Sequence, residues 1–127
     1  MNPNRFYRIA RELANLEFAL DNTKVNVHIS IITWGKSYSI GINNEKSHPD
    51  IYYNYAPFKT MLHSEKAAHI KCKFISDKPK TLINFRFSRS KNIPLMSRPC
   101  SDCLEWCAKE FEHIYYSDFD GQLVKLY

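Results

Sequence analysis

The amino-acid sequence predicts a three-layer α/β/α domain around one five-stranded mixed sheet. Three observations carry that expectation. Hydrophobic residues recur at period two in some stretches and at helical spacing in others, in the order α-β-β-α-β-α-β-β. The last two predicted strands are joined by a connection too short for a parallel crossover, so they should form an antiparallel hairpin. The chain has 127 residues, 44% of them hydrophobic and only 3 of them glycine, which fits a single folded domain over residues 1–127.

The elements follow in order. Phe6, Ile9, Leu13, Leu16 and Leu20 recur at helical spacing behind Asn2-Pro3, a cap and a first-turn proline, and predict a first helix with Arg5, Arg8 and Arg11 on or beside its polar face. Val25, Val27, Ile29 and Ile31 alternate with Asn26, His28 and Ser30; after "WGK", Tyr38, Ile40 and Ile42 continue at period two. This is a hairpin, with His28 on its polar register. From Asn43 to Thr60 the chain is irregular, with Pro49, Pro57, Tyr52, Tyr53, Tyr55 and Phe58. Loops of that length in compact domains are usually lids or binding loops. A second helix is predicted over Thr60 to Ile75, where Glu65, Ala68, Cys72 and Ile75 share a face, so Cys72 belongs to the core. "TLINFRF" is the third strand, with Thr81, Ile83, Phe85 and Phe87 on one side and Leu82, Asn84 and Arg86 on the other. "SRSKNIPLMSR" leads to a third helix opening near Pro99, and "HIYY" and "QLVKLY" form the last hairpin about the turn signal of "SDFDG".

Composition narrows the class of protein. No apolar run approaches the roughly 20 residues that span a bilayer, and the first residues are amphipathic rather than signal-like, so an intracellular, cytoplasmic protein without a membrane partner is expected. The net charge of +5 suits a phosphate-bearing partner. Its distribution is uneven. Between Lys59 and Arg98 ten Lys or Arg face only Glu65 and Asp77, whereas the stretch after Pro99 carries Asp102, Glu105, Glu110, Glu112, Asp118 and Asp120. Four cysteines in such a chain are expected to be reduced, metal-bound or buried rather than paired as disulfides.

Two fragments carry the chemistry. "HSE" places His63 and Glu65 in the first turn of the second helix, and "PCSDC" places Cys100 and Cys103 in the first turn of the third. A right-handed strand-helix-strand connection sets those helices side by side on one face of the sheet. One imidazole and two thiolates then make three ligands for zinc and leave a fourth position open for water, the arrangement of catalytic zinc. Helix N-termini favour the thiolate form. Glu65, two positions after His63, can take a proton from that water without ligating the metal.

The pattern H-x-E followed by P-C-x-x-C resembles the signature of zinc deaminases of nucleobases. H-x-E alone is common by chance; P-C-x-x-C is rare. The chain resembles the cytidine deaminase-like superfamily over nearly its whole length, from the first helix to the final hairpin. The resemblance implies His63, Cys100 and Cys103 as ligands of Zn²⁺ and Glu65 as proton shuttle. It implies hydroxide attack at C4 of cytosine, with Glu65 protonating N3 and then the leaving ammonia. By the same analogy Asn43, with Asn44 as its rival, would meet the sugar of the substrate, and peptide groups around Ser64, Ser97 and Arg98 would line the base pocket. Tyr116 would stand where polymer-acting relatives contact substrate.

Rival assignments use fewer of these residues. A thioredoxin-like Cys100/Cys103 pair leaves His63 and Glu65 without a role. Cys107 as fourth ligand of a structural zinc is the third cysteine along one helix, and a core thiol suits it better. His69 does not complete an H-E-x-x-H motif, and His48 and His113 show no ligand spacing. Three functions stay open: a deaminase of a free (deoxy)cytidine nucleoside or nucleotide, a deaminase of cytosine in single-stranded DNA or RNA, and a catalytically silent zinc-containing nucleic-acid-binding module. Retention of Glu65 speaks against the last. Arg86, Arg89, Lys91 or Arg98 could contact a nucleotide phosphate, and Tyr52, Tyr53, Tyr55 and Phe58 could stack on the bases of a polymer. Assembly into a homo-oligomer is left open.

Overall fold

The computed structural model describes residues 3–43, 64–72, 79–90, 94–99, 107–118 and 120–126. After a 3₁₀ turn at Pro3–Phe6 come helix α1 (Tyr7–Leu20), strands β1 (Asn26–Trp34) and β2 (Ser37–Ile42), helix α2 (Ser64–Ile70), and strands β3 (Thr81–Ser88), β4 (His113–Ser117) and β5 (Leu123–Lys125). Residues 107–110 form a further helical turn. The strands make one mixed, open five-stranded sheet in the order β2-β1-β3-β4-β5. β1 pairs antiparallel with β2 and β3, β3 runs parallel to β4, and β4 and β5 close an antiparallel hairpin, as their short connection predicts.

Local chemistry sets the two tight turns. Trp34 pairs with Ser37 across a two-residue connection in which Gly35 has φ 60°, a conformation that glycine adopts without Cβ strain. In the last hairpin the Asp118 carboxylate accepts the N–H groups of Asp120 and Gln122, each at 2.9 Å, and Gly121 takes φ 77°.

Both faces of the sheet are covered. On one, Phe6, Ala10, Ala14 and Phe18 of the N-terminal helical region pack with Val27, Ile29, Ile31, Ile83, Phe85 and Phe87. On the other, Ala68, Cys72, Cys107 and Phe111 pack with Ile32, Leu82 and Ile114. Alternation along β1 and β3 sends neighbouring side chains to opposite sides, so α1 and α2 lie on opposite faces. The second cluster also fixes two cysteines: Cys72 is 2% exposed and Cys107 0%, both among core residues. Burial pushes the Cys72 thiol above its ordinary pKa, with its bond to Ser39 opposing.

Three expectations need correction. The buried stripe of α1 is Ala10-Ala14-Phe18, continued by Phe6 of the preceding 3₁₀ turn, while Leu16 and Leu20 are 53% and 75% exposed. Alanine at two successive turns lets the helix lie close to the sheet; Leu16 and Leu20 are turned outward, while Ile9 and Leu13 pack against the edge of the core. Val25 precedes β1 and is exposed, the strand running on through Thr33 and Trp34 instead. Helix α2 ends at Ile70 rather than Ile75, with a turn at Lys71 and Cys72 in which the Cys72 N–H donates to His69 O at 2.9 Å. Thr60 to His63 and the aromatic loop of Tyr52 to Phe58 lie outside the described residues. Among the described residues no helix is long and apolar enough to cross a membrane.

Candidate active site

A single row of residues crosses four strands on the α2 face. Gly41 of β2 pairs with Ser30 of β1, Ser30 with Asn84 of β3, and Asn84 with Tyr116 of β4. The start of α2 rests on this row. A Cβ on Gly41 would collide with the backbone of Ser64, Ala67 and Ala68, so only glycine lets the helix come this close. Ser39, one pair along, donates its hydroxyl to Ala68 O at 2.9 Å, and Lys71 Nζ reaches Ile40 O at 2.5 Å. Helix α2 is thereby held against the β1–β2 hairpin.

Glu65, in the first turn of α2, is only 6% exposed. A buried carboxylate is costly without hydrogen-bond donors, and this one has them. Asn84 Nδ2 donates to Oε2 at 3.2 Å and Ser64 Oγ to Oε1 at 3.2 Å. The orientation of the Asn84 amide follows from its partners, since Nδ2 also donates to Ser97 O at 3.3 Å while Oδ1 accepts from Ser30 Oγ at 2.6 Å. Ser30 Oγ is in turn 2.7 Å from Ser64 Oγ. Because Asn84 Oδ1 can only accept, Ser30 gives its proton there, and the single Ser64 proton is shared between Ser30 and Glu65.

The stretch that precedes Cys100 is fixed by the same amide and by β4. Leu95 N–H donates to Arg86 O at 2.7 Å and Ser97 Oγ to Asn84 O at 2.8 Å, while Ser97 N–H donates to Ser117 O at 2.9 Å. Ser97 Oγ also accepts the Ser117 N–H at 2.7 Å. Residues 95–97 are thus zipped to β3 on one side and to the end of β4 on the other. Ser97 is 5% exposed; Arg98 points to solvent.

His63, Cys100 and Cys103 lie outside the described residues, among which no group of three or more His, Cys, Asp or Glu is placed to hold a metal. What bears on the expected ligand set is the route of the chain. Ser64 and Glu65 follow His63 directly, Ser97 to Pro99 lead directly into Cys100, and the Asn84 amide bonds both stretches. Glu65 and the Ser97 carbonyl thus approach to within one side chain of each other.

The remaining candidates fall as follows. Asn43 sits at the end of β2, where its N–H donates to His28 O at 3.2 Å and its Oδ1 accepts the His28 N–H at 3.0 Å. Its Nδ2 takes part in neither bond. Tyr116 stands in the same row as Asn84, half-buried. His69 turns away from the row toward Glu110, with Nε2 at 3.5 Å from its carboxylate, and meets Phe111 edge-on. Arg89 is engaged at the end of α1. Its Nε, Nη1 and Nη2 donate to the carbonyls of Lys24, Phe18 and Asp21 at 3.0, 3.1 and 2.8 Å, closing the C-terminal end of α1. Ser30, Asn84, Ser117 and Gly41 had no role in the sequence pattern. The signal that could have singled out Asn84 is an amide in the centre of the hydrophobic run "LINF", where a buried polar group needs partners.

Comparison with known proteins finds no matching family model, no matching curated protein and no matching solved structure.

Proposed function

We propose that this chain is a zinc-dependent deaminase, with the cytidine deaminase-like fold, that converts cytosine to uracil in a (deoxy)cytidine nucleoside or nucleotide. The observation that carries the proposal is the double engagement of Asn84, which joins the carboxylate of H-x-E to the chain entering P-C-x-x-C. The strand order and the antiparallel last hairpin are in keeping with it.

His63, Cys100 and Cys103 are the residues to hold the ion. Bound there, zinc would supply Lewis acidity and lower the pKa of a bound water toward neutrality. Glu65 takes the proton of the attacking water and delivers it to N3 of the ring, then passes a second to the departing amine, so that cytosine and water become uracil and ammonia. Ser64 and Asn84 hold the two carboxylate oxygens so that this proton carrier keeps one position throughout. Asn43 offers Nδ2 to the sugar, and Ser97 and Arg98 border the base. Tyr116 favours the second reading, a deaminase of single-stranded nucleic acid, because its ring shares the row of Asn84 and is partly open to a neighbouring base. A zinc protein that only binds has no need of a buried carboxylate held by an amide and a hydroxyl.

The decisive test incubates zinc-loaded protein with cytidine, deoxycytidine, their monophosphates, single-stranded DNA and RNA, and follows replacement of an amino group by oxygen by mass spectrometry. Glu65→Ala is expected to keep zinc stoichiometry and lose turnover by about 10²-fold or more. A Glu65→Ala protein as active as the parent would remove the proposal.

A further inference from the structure

The cross-strand pair next to Ser30 and Asn84 is His28 and Arg86. By alternation it lies on the same face as Asn84, two residues along β3 and therefore roughly 7 Å from the row that holds Glu65. It is also the pair at which Asn43 closes the hairpin, through its two bonds to His28. Arg86 is half-buried; its Nε is fully buried and makes no hydrogen bond, and among the described residues no carboxylate pairs with its guanidinium. Arg89, three residues on, shows the contrast, with three of its nitrogens bonded to carbonyls. A guanidinium drawn partly out of water with no counter-charge among the described residues costs free energy that an anion would return. Asn43 Nδ2 adds a second donor at this end of the face. Glu65 stands one row away with its oxygens already held by Ser64 and Asn84, so the acceptors and the donors of the site are separated along the strands.

We infer that Arg86 anchors a phosphate carried on the cytosine nucleoside, so that the substrate is a nucleotide unit rather than a free nucleoside. This rests on Glu65 as the proton carrier of a deaminase. The planar guanidinium suits two oxygens of one phosphate, and Asn43, the proposed sugar contact, is bonded to His28, the cross-strand partner of Arg86. The phosphate can be the terminal group of a mononucleotide or a diester of a strand.

The experiment measures kcat/KM of the zinc-loaded full chain on deoxycytidine, deoxycytidine 5′-monophosphate and a short cytosine-containing DNA single strand. Calorimetry in parallel compares binding of deoxyuridine and deoxyuridine 5′-monophosphate. The parent should prefer the monophosphate over the nucleoside by about 10- to 100-fold, Arg86→Gln should collapse that ratio toward one, and Arg86→Lys should keep part of it. The part retained by Arg86→Lys separates lost charge from a damaged fold. A strand that surpasses the monophosphate, with the same dependence on Arg86, supports the anchor and makes its phosphate a diester. Equal handling of nucleoside and monophosphate by the parent, or a preference that survives Arg86→Gln, overturns the anchor. If nothing is deaminated, the deaminase proposal fails by itself and calorimetry decides the anchor: tighter binding of the monophosphate that is lost in Arg86→Gln upholds it, and equal binding of both ligands removes it.

Discussion

Asn84 is the side chain on which the most site contacts depend. Its amide spends one hydrogen on Glu65, another on Ser97 and its oxygen on Ser30, so every polar atom it carries is used. Replacement by leucine, of similar size and without donors, would leave the Glu65 carboxylate and the Ser97 carbonyl short of partners in a buried place, at about 1–3 kcal/mol. The larger effect is expected on rate. With Glu65 free to move, Asn84→Leu should lower kcat by about 10²-fold with little change in KM, as steady-state kinetics on the preferred cytosine substrate would reveal. An unchanged kcat would mean that the carboxylate does not need this support. Glu65 was singled out in the sequence by the H-x-E spacing. Asn84 was not, because its partners come from β1, α2 and the 94–97 segment and meet it only once strand register is known. Arg89 shows the converse: its charge suggested phosphate, and its geometry gives it to the end of α1.

At the level of elements, the seating of α2 decides where the carboxylate lies. Gly41 removes the one Cβ that would stand between β2 and the backbone of the first turn of α2. Gly41→Ala has to push the helix off the sheet, and overpacking of this kind costs about 1–3 kcal/mol. Thermal denaturation should report that loss together with a fall in turnover, whereas alanine at the exposed Gly35, where nothing crowds the added carbon, should leave the helix seated and cost only backbone strain. Strand alternation correctly sorted Ile83, Phe85 and Phe87 from Leu82, Asn84 and Arg86, since period two allows two faces only. The face of α1 was misjudged at Leu16 and Leu20, because leucines outweigh alanines in a hydrophobic pattern, while close approach to a sheet favours the small side chain.

Over the whole molecule the charge of +5 raises the question of how far partners are gathered by long-range attraction. If the substrate is a mononucleotide, raising salt from about 50 to 200 mM should change kcat/KM little, because one phosphate is engaged; a polymer crossing several cations would lose affinity steeply. Titration of activity against ionic strength distinguishes the two. The order of elements and the sense of the last hairpin were readable from pattern and connection length, but the insertion of residues 95–97 between β3 and the end of β4 was not, since main-chain bonds leave no trace in side-chain periodicity. The row of Gly41, Ser30, Asn84 and Tyr116 has a consequence for engineering. The Glu65 carboxylate takes its aim from Asn84 on the floor and from Ser64 beside it, so the rim can be rebuilt to admit other guests while the floor stays untouched.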